Sequence, residues 1–240
     1  MSKLLKINNG LEQGIINFLE FLLEEKKVQG VITLKKTNGD QGLCYSLITE
    51  AEKLKDARPF YPLMPANAGK ILSALTSDES LAEPLAVVMR PCELRSFIEL
   101  VKRIKGRMEN FLIISPTCPG VYPLELSSDG GLEKNLSQYW QAVKNAETIP
   151  DTRTSCRSCL YFIPRNADII VDVIGKKDLD KSCYLFLNTK KGEELAAGMK
   201  GDIKEQEIET GELDRIQKER EEYRKKLFEE IEIEEQGIKG

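Results

Sequence analysis

Short apolar segments alternate with amphipathic segments through the middle of the chain, and this alternation restricts the possible folds more than any other feature. PLAVVM (84–89) and NFLIIS (110–115) are apolar on both faces, and the helical pattern PCELRSFIELVKRIK (91–105) separates them. Strands that are buried on both faces are typical of parallel sheets covered by helices. The sequence therefore predicts an α/β fold, with a mostly parallel or mixed sheet flanked by helices.

Similar patterns extend this prediction toward both ends of the chain. Apolar residues at helical or strand spacing predict further helices at 11–25, 41–56, 67–77 and around Trp140, and further strands at 30–36, 167–175 and 183–189. A turn at Asn38, Gly39 and Asp40 should end the strand at 30–36.

The composition changes beyond Gly201, where GELDRIQKEREEYRKKLFEEIEIEEQ is densely charged. Leu213, Ile216, Tyr223 and Leu227 recur there at roughly heptad spacing, which predicts an extended charged helix. We divide the chain into an α/β domain at 1–200 and a helical arm at 201–240. The arm is either a solvated helix with a narrow docking stripe or a segment that binds a partner.

Composition excludes several classes of function. A net charge of −4 and a pI near 5.3 leave no excess of positive charge for nucleic acid. No apolar run approaches the roughly 18 to 20 residues that span a bilayer, and MSKLLKINNG lacks the apolar region of a secretory signal. We therefore expect a cytoplasmic protein without a membrane span and without a nucleic-acid partner.

The chain has six cysteines and no histidine, which limits the chemistry it can perform. Cytosolic cysteines are kept reduced, so these residues are better explained as thiols or metal ligands than as disulfides. Without imidazole, neither a histidine-activated nucleophile nor a Cys2His2 zinc site can form. Cys44 and Cys183 lie within apolar patterns, and we expect both to be small apolar fillers.

The other four cysteines are candidate metal ligands. Cys92 and Cys118 each follow a predicted strand, and the carboxyl ends of parallel strands meet at one edge of a sheet. Cys156 and Cys159 form a Cys-x-x-Cys pair in a loop that precedes the next strand, and this loop can carry them to the same edge. Four thiolates suit a structural zinc or a 4Fe-4S cluster, and the spacing, one close pair with two isolated cysteines, favours the cluster.

Three motifs resemble one known family. RPCELRSFIELVK, LIISPTCPG and TRTSCRSCLYFIPRNADI are together similar to the beta subunit family of coenzyme F420 hydrogenases and dehydrogenases, particularly its bacterial formate dehydrogenase type. The similarity extends over roughly residues 8–195. It implies an iron-sulfur flavoprotein, with a 4Fe-4S cluster bound by Cys92, Cys118, Cys156 and Cys159 next to an FAD.

The resemblance also implies a role and partners. The expected function is electron transfer within an anaerobic oxidoreductase complex of the hydrogenase, formate dehydrogenase or heterodisulfide reductase type. FAD would exchange hydride with deazaflavin or another diffusible carrier. Similar proteins continue into a ferredoxin-like region after the charged helix, whereas this sequence ends at Gly240. That region is either a separate polypeptide or lost. In the first case we expect a ferredoxin-like or other iron-sulfur subunit, together with a catalytic subunit, as partners.

Residues for binding FAD are less well defined by the sequence. The turns that open two predicted helices offer backbone amides to a pyrophosphate, at Asn9 and Gly10 and at Asn67 and Lys70, although both turns can equally be ordinary helix caps. Arg90 and Arg95 flank Cys92 and can stabilise a reduced flavin or pair with nearby glutamates. No Gly-x-Gly-x-x-Gly sequence supports nicotinamide binding.

Two other functions are compatible with the same residues. One is a non-catalytic scaffold that is stabilised by a metal and docks a ferredoxin-like partner. The other is a redox-sensing dithiol protein that uses only Cys156 and Cys159. The metal content and the effect of replacing Cys92 or Cys118 distinguish these alternatives from the flavoprotein.

Overall fold

The computed structural model describes residues 3–37, 42–127 and 131–238, which form an eight-stranded sheet with helices on both faces. The strands are β1 (Lys3–Asn8), β2 (Gly30–Lys36), β3 (Leu43–Ile48), β4 (Leu85–Val88), β5 (Phe111–Pro116), β6 (Ile169–Val171), β7 (Ser182–Leu187) and β8 (Asp202–Glu205). The helices are α1 (Leu11–Glu24), α2 (Ala68–Leu75), α3 (Pro91–Lys102), α4 (Gly131–Lys144), α5 (Thr154–Arg157), α6 (Lys190–Ala196) and α7 (Gly211–Ile238). Short 3-10 helices occupy Ala51–Asp56 and Leu124–Ser127.

The sheet is mixed, with a parallel centre and antiparallel flanks. Its strand order is β3-β2-β4-β5-β6-β7-β1-β8, and β2, β4, β5 and β6 pair in parallel. β3 pairs antiparallel to β2 at one edge, and β7, β1 and β8 are successively antiparallel at the other. The carboxyl ends of β1, β2, β4, β5 and β6 therefore all lie on the same edge of the sheet.

Two hydrophobic cores cover the two faces of the sheet. The larger core packs α1, α4 and the start of α7 against one face, through residues such as Phe18, Tyr139 and Ile216. The smaller core packs α2 and α3 against the other face, through Leu72 and Phe97. The predicted fold class, a mixed sheet flanked by helices with a long charged C-terminal helix, is confirmed. In the described part of the chain, no helix combines the length and the apolar character needed to cross a membrane.

The helix predicted at 41–56 is wrong. Residues 43–48 form β3, an edge strand in register with β2, and only the 3-10 helix at 51–56 follows it. β3 has one exposed face, so its side chains alternate between half-buried and exposed, and Tyr45 favours a strand. Cys44 lies on the exposed face and is not an apolar filler, whereas Cys183 is fully buried as predicted. The turn predicted at Asn38, Gly39 and Asp40 lies outside the described residues.

The remaining predicted helices and strands are found close to their expected positions, but β1, β8, α5, α6 and the 3-10 helix at Leu124–Ser127 were not predicted. β1 and β8 extend the sheet beyond β7, and α6 packs beside β7. β1 inserts between β7 and β8 and pairs antiparallel with both.

Close packing of α1 on β7 gives a testable stability prediction. A Cβ added at Gly14 of α1 would lie 2.5 Å from Cβ of Cys183, whereas a Cβ added at Gly211 of α7 would have nothing within 4 Å. We expect Gly14→Ala to lower the free energy of unfolding by about 1–3 kcal/mol, because overpacking of the core outweighs the gain in helix propensity. Gly211→Ala is the matched control and should be neutral or stabilising. Equal urea denaturation midpoints for the two variants would contradict this packing.

Candidate functional site

Cys92 and Cys118 occupy neighbouring positions at the carboxyl edge of the sheet. β4 leads directly into α3, whose second residue is Cys92, and Cys118 follows β5 after Thr117. β4 and β5 are adjacent and parallel, so the two turns lie next to each other. The predicted convergence of these two cysteines is therefore a direct consequence of the strand order.

Buried hydrogen bonds fix the turn that carries Cys118. The backbone N–H of Thr117 donates to the carbonyl of Val171 at 2.9 Å. The hydroxyl of Thr117 donates to Asp172 at 3.3 Å and accepts the N–H of Val173 at 3.0 Å. Cys118 itself donates its N–H to the carbonyl of Phe162 at 2.8 Å, which ties it to the segment that follows Cys159.

The Cys-x-x-Cys pair lies against this same turn. Cys156 is in the single helical turn α5, and the N–H of Cys159 donates to its carbonyl at 3.2 Å. Gly120 has a φ of +114°, and a Cβ at that position would lie 3.2 Å from Cβ of Cys156. A glycine two residues after Cys118 therefore allows the two cysteine segments to touch.

The electrostatics of the thiols also show that they share one region. Burial raises the pKa of Cys92 to about 12, and negative charge on Cys118 and Cys156 contributes to this shift. Burial also raises the pKa of Cys118, against the opposing effect of the nearby Arg90 guanidinium. Cys92, Cys118 and Cys156 are thus close enough to influence one another.

The convergence of the thiols is loose. All four cysteines are partly exposed, and none forms a disulfide. Within the residues that the structure describes, no group of three or more histidine, cysteine, aspartate or glutamate side chains is close enough together to hold a single metal ion. Cys92, Cys118 and Cys156 are neighbours, and Cys159 is attached to the same region through its backbone carbonyl, which accepts from Arg220.

Two arginines near the cysteines were not identified from the sequence. Arg157, inside the Cys-x-x-Cys motif, stacks on the ring of Tyr223 at 4.1 Å, and its Nε is buried without a hydrogen-bond partner among the described residues. Arg220, from α7, donates to the carbonyl of Cys118 at 3.1 Å. Because α7 is remote in sequence from the motifs, no local pattern could have indicated either contact.

A cavity of about 760 Å³ opens on the same side of the sheet as α1 and α4. Asn9 and Gly10 line it between β1 and α1, as do the aromatic residues Phe60, Tyr61 and Trp140. Four cationic side chains also line it, namely Lys36, Lys55, Arg58 and Lys144. Its volume lies within the range of about 300–1,000 Å³ that is usual for cofactor and ligand sites.

Backbone geometry in this part of the cavity wall depends on Gly10. Gly10 has a φ of +80°, and a Cβ there would lie 2.8 Å from the carbonyl oxygen of Asp180. The N–H of Leu11, the first residue of α1, donates to the carbonyl of Leu179 at 2.7 Å. The next residues of the first turn, Glu12 and Gln13, line the cavity.

The other predicted cofactor residues have different positions. The side chain of Asn67 caps α2 by accepting the N–H of Lys70, and the N–H of Ala68 donates to the carboxylate of Glu93 at 2.8 Å. Asn67 and Lys70 line neither of the two cavities described here. Arg95 stacks on Tyr161 at 4.5 Å and lines a second, smaller cavity of about 250 Å³.

Arg90 connects the cysteines with the large cavity. Its guanidinium is buried and donates to the carbonyl of Tyr61, a residue of the cavity wall. Burial alone would lower the pKa of Arg90, but its electrostatic interactions with Tyr45, Glu93 and Cys118 outweigh burial and raise the pKa. Arg90 therefore remains a cation between the two regions.

Asp168 has a structural role at the entry to β6. Its carboxylate accepts the N–H of Ile113 at 2.9 Å and pairs with Lys191 at 3.1 Å, at the entry to β6. This is the opposite edge of the sheet from the cysteines.

Comparisons with known proteins agree with the resemblance drawn from the cysteine motifs. The chain is 25% identical over 217 residues to F420-dependent formate dehydrogenase 1 subunit beta of Methanococcus maripaludis, which is 77% of this chain and 55% of that protein. It is 24% identical over 183 residues to F420-dependent formate dehydrogenase subunit beta of Methanocaldococcus jannaschii, which is 65% of this chain and 46% of that protein. The chain thus spans about half the length of these relatives, and no family model matches it.

A solved structure confirms the fold. One chain of the F420-reducing NiFe hydrogenase complex from Methanosarcina barkeri aligns with a TM-score of 0.65 and 16% sequence identity. The alignment covers 96% of this chain and 91% of that chain.

Proposed function

We propose that this chain, a relative of the beta subunits of F420-dependent formate dehydrogenases, is an electron-transfer flavoprotein subunit of an oxidoreductase complex. The observation that carries the proposal is the buried Arg90, which lies near Cys92 and Cys118 and donates to the carbonyl of Tyr61 in the wall of a cavity lined by aromatic and charged side chains. The relatives' names support an oxidoreductase subunit, and the geometry supports two cofactors in this chain.

Cys92, Cys118, Cys156 and Cys159 would hold a 4Fe-4S cluster. The donor set fits, because four thiols without a histidine are the usual ligands of such clusters. Each of the four thiolates would bind a different iron of the cluster. The unpartnered Nε of Arg157 is a donor that a cluster sulfur would satisfy.

The large cavity would hold FAD. Arg58 and Lys144 pair with Glu12 and Asp180 of the same wall, and Lys36 and Lys55 add positive charge that suits a pyrophosphate. Phe60, Tyr61 and Trp140 offer flat apolar surfaces to the rings. Of the six residues predicted to contact the cofactor, Asn9 and Gly10 line this cavity. When bound, FAD would supply hydride exchange with a diffusible carrier such as a deazaflavin, and the cluster would supply transfer of single electrons.

The chain's own contribution is binding, orientation and charge. Gly10 permits the close turn in the cavity wall, and the cationic rim attracts an anionic cofactor. Arg90, held between the carbonyl of Tyr61 and the cysteine turn, places a fixed positive charge between the two binding regions. A charge in this position favours additional electrons at either centre.

The proposed partners are a catalytic subunit and a ferredoxin-like or other iron-sulfur subunit. The relatives are named as subunits of formate dehydrogenases, which supports assembly into a complex. The second half of α7 exposes Phe228 and Ile231, which gives such a partner an apolar surface to contact.

Cofactor content tests the proposal. After anaerobic purification and reconstitution with iron, sulfide and FAD, we expect about four irons and one flavin per chain, with the visible absorbance of both groups. One zinc and no flavin would instead support the scaffold function. A well-folded chain that binds neither iron nor flavin would refute the flavoprotein.

The cationic rim gives a further prediction about FAD affinity. Lys55 lines the cavity, whereas Lys53, in the same 3-10 helix, pairs with Glu50 at 2.5 Å and does not line it. We expect Lys55→Glu to weaken FAD binding about tenfold, because the reversed charge repels the pyrophosphate. Lys53→Glu, with the same change of charge, should bind as the wild type does. Quenching of flavin fluorescence measures both, and equal affinities would place the pyrophosphate elsewhere.

A further inference from the structure

Arg220 of α7 is buried against both cysteine loops. Only 5% of its surface is exposed. Its Nη2 donates to the carbonyls of Cys118 and Pro119, both at 3.1 Å, and its Nη1 donates to the carbonyl of Cys159 at 3.2 Å. Its guanidinium also lies over the ring of Phe162 at 4.5 Å. One side chain thus adds three hydrogen bonds to the contacts between the two loops.

The shape of the guanidinium explains why arginine occupies this position. A planar group with a fixed fork of donors can reach several carbonyls at once, whereas a lysine ammonium is a compact charge on a flexible stem. The carbonyls bound by Arg220 belong to two of the proposed ligands, Cys118 and Cys159, and to the residue between Cys118 and Gly120. Any change in the position of Arg220 is therefore transmitted directly to the cysteine backbone.

The rest of α7 holds Arg220 in place. Ile216 and Leu213, one and two turns earlier, are buried in the larger core. Tyr223, one turn later, stacks on Arg157 of the Cys-x-x-Cys motif. Arg220 thus lies in the middle of the stripe by which the charged helix is attached to the sheet.

We propose that Arg220 is a positioning residue that clamps the Cys118 and Cys159 loops at the spacing a cluster requires and supplies a positive charge that favours the reduced cluster. The charge role rests on the proposed function. The clamp concerns only the protein, so it can be tested without a cluster. Gaining an electron makes the cluster more negative, and a nearby cation stabilises that state.

Three variants separate the two roles. Arg220→Gln removes the charge and most of the donors, and Arg220→Lys keeps the charge but loses the fork. Arg224→Gln is the matched control, because Arg224 is exposed on the same helix and loses the same charge. Circular dichroism verifies that each variant is folded, and Arg220→Lys carries the test if Arg220→Gln does not fold.

Thiol labelling of the metal-free protein measures the clamp. We expect Cys118 and Cys159 to react with a thiol reagent about tenfold faster in Arg220→Gln and Arg220→Lys than in the wild type. A tenfold change corresponds to the loss of about one hydrogen bond to a charged group. Arg224→Gln should label at the wild-type rate. Wild-type labelling rates in both Arg220 variants would overturn the clamp.

The reduction potential of the reconstituted protein measures the charge. Arg220→Gln should shift the redox equilibrium about tenfold toward the oxidised cluster. For a one-electron couple this lowers the reduction potential by about 59 mV. Arg220→Lys and Arg224→Gln should stay near the wild-type potential. Equal potentials in Arg220→Gln and Arg224→Gln would overturn the charge role. A wild-type chain that takes up no cluster would overturn the proposed function, while the labelling of the metal-free protein still decides the clamp.

Discussion

Cys118→Ala is expected to abolish incorporation of the iron-sulfur cluster. Cys118 lies at the centre of the proposed site, tied by its N–H to Phe162 and by its carbonyl to Arg220. Removing its sulfur leaves one iron without a protein ligand. The loss of bound iron should exceed the roughly 10- to 100-fold loss of affinity that follows removal of an outer-shell contact at a metal site. Iron and sulfide analysis after anaerobic reconstitution measures the effect.

Two further variants make this experiment decisive. Cys44→Ser replaces an exposed cysteine of β3 and should retain the wild-type iron content. Cys92→Ala should lose the cluster as Cys118→Ala does, although Cys92 is far from the Cys-x-x-Cys pair in sequence. A dithiol function that used only Cys156 and Cys159 predicts no effect of either replacement, so normal iron content in both variants would exclude the four-cysteine site.

Glu93→Ala is expected to cause the largest loss of stability. The carboxylate of Glu93 is fully buried and accepts the N–H groups of Ala68 and Arg90, each at 2.8 Å. It also accepts the hydroxyl of Tyr45 at 2.7 Å. This one group thus connects α3, the start of α2, the end of β4 and the edge strand β3. Its removal leaves buried donors unpaired and takes a negative charge away from the buried Arg90.

We expect Glu93→Ala to lower the free energy of unfolding by about 3–5 kcal/mol, the range observed when one partner of a buried charged network is removed. Glu99→Ala is the control on the same helix, because Glu99 is exposed and pairs only with Lys102 in the described part of the chain. Its stability should be nearly that of the wild type. Urea denaturation of the metal-free protein measures both, and similar midpoints would show that the Glu93 network contributes little.

The centre of the sheet could be predicted because its strands are short, apolar on both faces and separated by clear helical patterns. β3 could not, because a half-exposed edge strand lacks a continuous apolar run, and 41–56 was therefore wrongly predicted as a helix. β1 and β8 could not be predicted because β1 pairs with β7 and β8, and both of these strands are remote from it in sequence.

The site shows the same division between local and long-range signals. The positions of Cys92 and Cys118 follow from the ends of two adjacent strands, which the sequence reveals. The contacts of Arg220 and the aromatic walls of the cavity depend on how remote segments pack, which no local pattern encodes. Asn67 illustrates the limit of helix-start signals, since the structure gives it a capping hydrogen bond and its role in cofactor binding stays a prediction.

Anomalous scattering at the iron absorption edge, from crystals of anaerobically prepared protein, tests the central claim most directly. The four-cysteine site predicts one compact iron signal bounded by Sγ of Cys92, Cys118, Cys156 and Cys159. An iron signal elsewhere, a single zinc at the Cys-x-x-Cys pair, or free thiols at Cys92 and Cys118 in the iron-loaded protein would contradict it.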